Sequence, residues 1–267
     1  MNTSQSFLKY KYYIIISIIL TLSLYCAFKF SKSYRISKVL TDMNKIQNYT
    51  NINSQLNKLD IQKLKLCDFY ISSAFRPYMA INQLFEYCDL SITKKTIQAG
   101  SRALYIDIFN SNFGVDAEPV IASGLKNGQW KLSINTLLFD DFCKIVAETA
   151  FNVGEVNNAD DPFILMLNLN VNENMNCLKK IKNILFKRFS RYLLPNKYTY
   201  SKHNIGQTPI RELRQKLIIF SSSGFQKSDL EEFVNFSWDR NELKKISYES
   251  LYPDNEDSNS DVIKIDG

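Results

Sequence analysis

The chain has 267 residues, 45% of them hydrophobic and 22% charged, with a formal net charge of +6. That is enough chain for one domain of moderate size with appendages, and enough Ile, Leu, Phe and Tyr for a real core. Five scattered cysteines without a CxxC pair argue against a disulfide or metal framework and suit a reducing compartment; the basic balance comes with no nucleic-acid module and no phosphate-binding glycine loop.

The first element is an uncharged, mostly apolar run from Tyr12 to Phe28, followed by Lys29, Lys32, Arg35 and Lys38. Its length suits a short membrane-spanning helix, tyrosines at both ends suit the interfacial belt, and no small-x-small cleavage site follows. We read residues 1–28 as a tail and single-pass anchor (helix about 12–28). A cleaved signal peptide is the alternative. More basic residues follow the helix than precede it (Lys9 and Lys11), which places the folded domain on the cytoplasmic side. Asn48-Tyr-Thr50 and Asn235-Phe-Ser237 are glycosylation triplets of the kind that an Asn-rich chain produces by chance.

Residues 29–64 form a basic, then Asn/Gln-rich stretch. Ile36, Leu40, Met43 and Ile46 have helical spacing, and the segment reads as a stalk that lifts the domain from the membrane. In 65–238, short apolar runs (Phe69–Ala74, Ala103–Phe109, Val120–Ala122, Phe163–Leu169, Leu217–Phe220) alternate with helical patterns (Ser91–Ala99, Thr136–Ala150, Met175–Leu194, Lys227–Phe236). Strands spaced by helices predict a parallel α/β sheet. Residues 239–267 form a C-terminal extension that ends in an acidic tail.

Four segments within 65–238 carry a recognisable pattern: Asp68 to Tyr78, Gln98 to Asn110, Glu118 to Gly124 and Asp161 to Asn170; a fifth runs from Pro209 to Gly224. In order and spacing they resemble the X region of phosphoinositide-specific phospholipase C. The resemblance implies the X half of a TIM-type barrel, an α/β partial barrel of five strands. Five strands do not close a barrel of eight, so the reading frame is either truncated before the family's Y region or completed by another chain. The Asn-, Ile- and Lys-rich composition suits an AT-rich genome, and proteins of this look are carried by large DNA viruses.

The resemblance also implies a chemistry, and here the residues depart from it. The family cleaves inositol phospholipids with one histidine as base, a second as acid, and calcium held by oxygen ligands. In Ser72-Ser73-Ala74-Phe75-Arg76-Pro77-Tyr78, Phe75 stands at the first histidine and Arg76 at a calcium-binding asparagine. Ser123 stands at the second histidine. Of the remaining calcium positions, Asp107 is kept, whereas Tyr105 and Asn168 replace carboxylates. Phe220 and Ser222 replace two phosphate-holding lysines. Phenylalanine accepts no proton and arginine ligates no cation, so no calcium or other cofactor is expected, with Asp107 a weak remnant of the metal site.

The chain's one histidine, His203, makes a two-histidine relay impossible whatever the alignment, and its loop before the fifth strand reads as ordinary surface. Two readings of Arg76 stay open: an ion pair with Asp107 that fills the former metal site, or a fixed guanidinium that replaces the cation as charge stabiliser. Arg76 and Ser123 are the candidate substrate-binding residues. Between Glu173 and Glu212 no acidic residue occurs, while Lys179, Lys180, Lys182, Lys187, Arg188 and Arg191 accumulate beside an apolar stripe of Leu178, Ile181 and Leu185. A solvated outer helix is one reading; contact with anionic phospholipid headgroups is the other. The sequence therefore points to a membrane-anchored, catalytically inactive X-domain protein that binds lipid headgroups or protein. The competing readings are an active phosphodiesterase with a site rearranged around Arg76, Asp107, Ser123 and Asn168, and a structural membrane protein.

Overall fold

The computed structural model describes residues 3–45, 63–82, 85–111, 118–124 and 131–238, with the side chains of 3–9 left aside. The C-terminal extension, Ile46 and most of the Asn/Gln-rich stretch lie outside these residues. Helix α1 (Thr3–Met43) is followed by β1 (Ser73–Phe75), α2 (Leu90–Gln98), β2 (Ala103–Asn110), β3 (Pro119–Ile121) and β4 (Leu137–Leu138). Then come α3 (Phe139–Ala150), β5 (Phe163–Asn170), α4 (Met175–Phe189), β6 (Leu217–Ser222) and β7 (Phe236–Trp238).

All seven strands belong to one sheet. The parallel part runs β1, β2, β5, β6, β7, as the strand–helix alternation predicts. It is a partial TIM-type barrel. Two expectations need correction. Strand β3 is antiparallel to β2, and β4 is antiparallel to β3. The short spacing between β2 and β3 leaves no room for a crossover helix, so this pair forms a hairpin arm. Strands β1 and β3 share one edge of β2, pairing with Ala103–Tyr105 and Ile108–Asn110 respectively. Second, the predicted helix over Lys227–Phe236 is a short 3-10 turn (Asp229–Phe233) followed by β7. Phe233 and Phe236 suit helical spacing, but Phe236 instead packs at 4.8 Å on Phe220 in the neighbouring strand. A sheet contact outweighed a local propensity.

Alternation along the strands sorts side chains to two faces. Leu104, Ile106, Ile108, Leu165, Leu167, Leu217 and Ile219 point outward under α2, α3 and α4 and form the main core. These helices follow the predicted apolar spacing: Ile92 and Ile97, Phe142, Cys143 and Val146, and Leu178, Ile181 and Leu185 are buried. On the inner face, Ala103, Ile164 and Ile218 pack with Leu66, Leu194, Tyr198, Ile205, Ile210 and Leu213, which seal the end where the parallel strands begin. Registers place Phe75, Tyr105, Met166, Phe220 and Phe236 in one row above that plug. This row stays half-buried or exposed.

Helix α1 runs unbroken from the apolar run into the first part of the predicted stalk, as far as Met43. It is continuous over 41 residues, and α1 packs against α2. A helix of that length extends about 60 Å, twice the hydrocarbon thickness of a bilayer. The predicted amphipathic positions Ile36, Leu40 and Met43 are half-buried, together with Lys32, Arg35 and Val39. The segment after the apolar run is thus docked on the domain. From Tyr10 to Phe30 every residue is exposed. That portion lies in a helix long and apolar enough to cross a membrane.

Candidate functional site

The end of the sheet where β1 and β2 finish carries the positions that the sequence resemblance singles out. Asp107 points to the inner face and is 1% exposed. Arg76 Nε donates to its Oδ2 at 2.6 Å, and Asn168 Nδ2 donates to its Oδ1 at 2.6 Å. Asn168 faces Asp107 because the two residues are register partners across β2 and β5. A carboxylate only accepts, so the amide presents its nitrogen. Burial pushes the Asp107 carboxyl above its ordinary value, against the pull of the Asn168 hydrogen bond and of Arg76.

Arg76 reaches Asp107 from an unusual backbone. Its φ of 49° is left-handed, a region that a long side chain seldom occupies. The turn is pinned on both sides: Arg76 N–H donates to Tyr105 O at 2.9 Å, and Met79 N–H donates to Arg76 O at 3.0 Å. The guanidinium also lies 4.9 Å from the Phe75 ring centre, and Phe75 stacks obliquely on Tyr105 at 4.8 Å. Phe75, at the first histidine position, is 54% exposed and forms one wall of the mouth. Tyr105 continues that wall to Trp238 at 6.0 Å. Burial pushes the Tyr105 phenol up to about 12, so it stays neutral.

Ser123, just after β3, is fully buried, and its Oγ has no hydrogen-bond partner among the described residues. Tyr78 is a residue whose role the sequence did not disclose. Fully buried, it donates to Ala122 O at 2.9 Å and accepts from the Asp107 N–H at 3.3 Å, tying β2 to the exit of β3. Its place at the end of the Ser72-to-Tyr78 pattern was the available signal. Arg102, kept from the pattern, is structural. It donates to the carbonyls of Ala150 (2.8 Å), Pro162 (3.3 Å) and Asp161 and lies 5.0 Å over Phe163.

His203 sits in the plug at the opposite end of the sheet, 2.7 Å from Thr208 Oγ1 and edge-on to Tyr198. Phe220 packs on Phe236, and Ser222 accepts the Leu169 N–H at 2.8 Å. The basic helix α4 is partly committed within the domain. Lys180 pairs with Glu118 at 2.6 Å, and Arg188 and Lys187 pair with Asp140 at 2.6 and 3.2 Å. Lys182 lies over Phe233 and Arg191 over Tyr192.

The calcium that the sequence resemblance implies does not fit these residues. Such an ion takes six or more oxygens, several of them anionic. Here one carboxylate is present, both of its oxygens already accept hydrogen bonds, and the neighbouring group is a cation. Among the described residues no cluster of three or more His, Cys, Asp or Glu could hold a metal. Cys88, Cys143 and Cys177 are buried and free; burial pushes the Cys88 thiol up to about 11 and that of Cys177 to about 12.

PLC21 of S. officinalis is 24% identical over 70% of this chain and 21% of its own, with a TM-score of 0.49. PLC21 of L. pealei is 19% identical over 82% of this chain and 27% of its own, with the same TM-score. A calcium-dependent phosphoinositol-specific phospholipase C from Pseudomonas sp is 9% identical over 67% and 68%, with a TM-score of 0.44. The chain therefore spans only 21% and 27% of the first two proteins' length. No curated protein matches. The family model for the phosphatidylinositol-specific phospholipase C X domain matches residues 62–223, well over half of the chain. The protein is a member of the phosphatidylinositol-specific phospholipase C X-domain family.

Proposed function

We propose that this chain is a membrane-anchored X-domain protein that does not cleave inositol phospholipids and acts by binding at the membrane surface. One observation carries the reading: Asp107 is closed inside the protein by Arg76 and Asn168, each at 2.6 Å. That arrangement satisfies the carboxylate without an external cation. The acid–base positions hold Phe75 and Ser123, and the chain's one histidine, His203, lies at the far end of the sheet, so no histidine stands near Asp107 to move a proton. Each lost acid or base costs roughly a hundredfold or more in rate.

The exposed half of α1 supports the anchor, and the basic residues after it support a cytoplasmic domain. Full-length protein in phosphatidylinositol vesicles should release no inositol phosphate above the protein-free blank, with or without calcium. Calcium-stimulated release that is lost in Asp107→Ala would overturn the reading. The anchor is tested separately: the protein should stay with membranes through carbonate extraction and leave them when Tyr12–Phe28 is deleted.

A further inference from the structure

Helix α1 gives the domain a near and a far end. Phe28, the last residue of the uncharged run, meets the Tyr87 ring edge-on at 5.3 Å, and Lys32 lies 5.9 Å over the same ring. Arg35 is latched at 2.7 Å to Glu86, whose side chain is fully buried. Both partners belong to the segment that leaves the end of β1. Beyond Arg35 the helix runs on against α2, with Ile36, Val39, Leu40 and Met43 half-buried. The apolar run therefore departs from the strand ends that carry Arg76 and Asp107. The plug, where the parallel strands begin, is at the opposite end.

That far end holds most of the chain's excess charge. Residues 191–216 carry six Lys and Arg against one acid, Glu212, a net +5 in a chain of net +6. Lys65 joins them through its bridge to Pro209, and its Nζ donates to Gln207 Oε1 at 2.7 Å. Lys216 Nζ donates to Arg191 O at 3.3 Å, and Lys197 lies 4.7 Å over the Tyr198 ring. The acids alongside are engaged. Glu212 accepts from Tyr198 Oη at 2.5 Å, Asp160 pairs with Arg214 at 3.0 Å, and Asp68 accepts the Lys65 N–H at 2.8 Å. Among the described residues no ion pair reaches Lys65, Arg191, Lys197, Lys202, Arg211 or Lys216. On the flanks the pattern is the reverse: Lys94, Lys180, Lys187 and Arg188 are all paired. The plug turns are held from beneath by buried Tyr198, Ile205, Ile210 and Leu213, so their cations cannot move apart. Fixed like charges raise the local potential and draw in an anionic partner.

We propose that this plug face docks a soluble acidic polypeptide on the side of the domain that points away from the bilayer. Its placement rests on the reading of α1 as the anchor. With the bilayer at the other end, lipid headgroups do not reach these cations, and the counter-charge comes from solution. One observation favours a peptide over a nucleic acid. Single strands bind basic grooves by stacking successive bases on exposed rings. Here Tyr198 is buried, Tyr192 is stacked on Phe151 at 3.9 Å, and Tyr200 packs edge-on to Phe225. Tyr70 alone stands exposed among the rings of 63–72 and 191–216.

The test titrates full-length protein in phosphatidylcholine nanodiscs into fluorescent polyglutamate and reads anisotropy at low and high salt. Saturable binding that weakens with salt is expected. Lys197→Gln, Lys202→Gln and Arg211→Gln together should lower the affinity by about tenfold. Lys144→Gln, Lys179→Gln and Lys182→Gln together remove the same charge from the flank formed by α3 and α4, and should leave the affinity nearly unchanged. Equal losses in the two variants would show that net charge alone binds the peptide, and would overturn the docking surface. So would the absence of saturable binding at low salt. Polyuridylate that binds more tightly than polyglutamate, with the same loss in the plug variant, would assign the face to nucleic acid instead. Binding that appears only when residues 254–267 are removed would assign it to the chain's own acidic stretch. Protein that stays out of the nanodiscs overturns the anchor and the far-side placement; the same titration in solution then still decides the docking surface.

Discussion

Arg76 and Asp107 form an ion pair of 2.6 Å between a left-handed turn after β1 and the inner face of β2. The pair is 14% and 1% exposed, so solvent screens it little. Removing one partner of a buried pair leaves an uncompensated charge and costs about 3–5 kcal/mol. Arg76→Ala should lower the unfolding midpoint of the full-length protein in detergent accordingly. Arg76→Ala combined with Asp107→Asn should recover part of the loss. Strict additivity of the two single changes would show that the pair is not coupled.

Calcium titration should give no saturable heat in the micromolar range, because the one carboxylate at the site is already bonded on both oxygens. A micromolar site abolished by Asp107→Asn would contradict this account. Arg76→Ala, by freeing Asp107, should not create one either, since a single carboxylate and one amide remain.

Arg102→Ala should destabilise the fold by about 3 kcal/mol or more, because the carbonyls of Ala150, Asp161 and Pro162 lose a charged donor in a buried place. Arg102→Lys should rescue little of it. An ammonium is a point donor and does not reproduce the planar fork that spans three carbonyls and stacks on Phe163. Wild-type stability in the lysine variant would show that charge alone matters.

Acid should weaken the contact between α3 and α4. The Arg188 hydrogen bonds, with lesser help from Lys187, hold the Asp140 carboxyl below its ordinary value. A depressed carboxylate contributes stability that is fully present above its unfolded value of about 4 and lost as pH falls through the folded one. Asp140 is 30% exposed, so about 1 kcal/mol at neutral pH is the reasonable size. In Asp140→Asn that increment, and its decline below about pH 4, should both vanish from unfolding curves taken across the acid range.

The strands and helices of the outer core were legible because their apolar spacing has a single geometric solution. Leu104, Ile106 and Ile108 alternate, and Ile92 and Ile97 or Leu178, Ile181 and Leu185 recur at helical intervals. The substitutions at Phe75, Arg76, Tyr105, Ser123 and Asn168 were legible from the motif, and so was the Arg76–Asp107 pairing as one of two readings. What escaped depended on partners far along the chain. Phe236 reads as helix until Phe220 is beside it. Val120 and Ile121 read as a parallel strand until the hairpin arm places them against Ile108 and Phe109. Arg35 reads as part of a basic flank; Glu86, fifty-one residues away, turns it into a latch. No local pattern marks a pairing of that range.

The continuity of α1 makes residue number a measure of height. Phe28 and Arg35 are seven positions apart on one unbroken helix, about 10 Å along its axis. Phe28 closes the apolar run at one end of that interval, and Glu86 holds Arg35 at the other. The apolar run is therefore joined to the docked segment by unbroken helix. Each residue inserted between them would shift the domain by about 1.5 Å along the helix and turn it by about 100° around it.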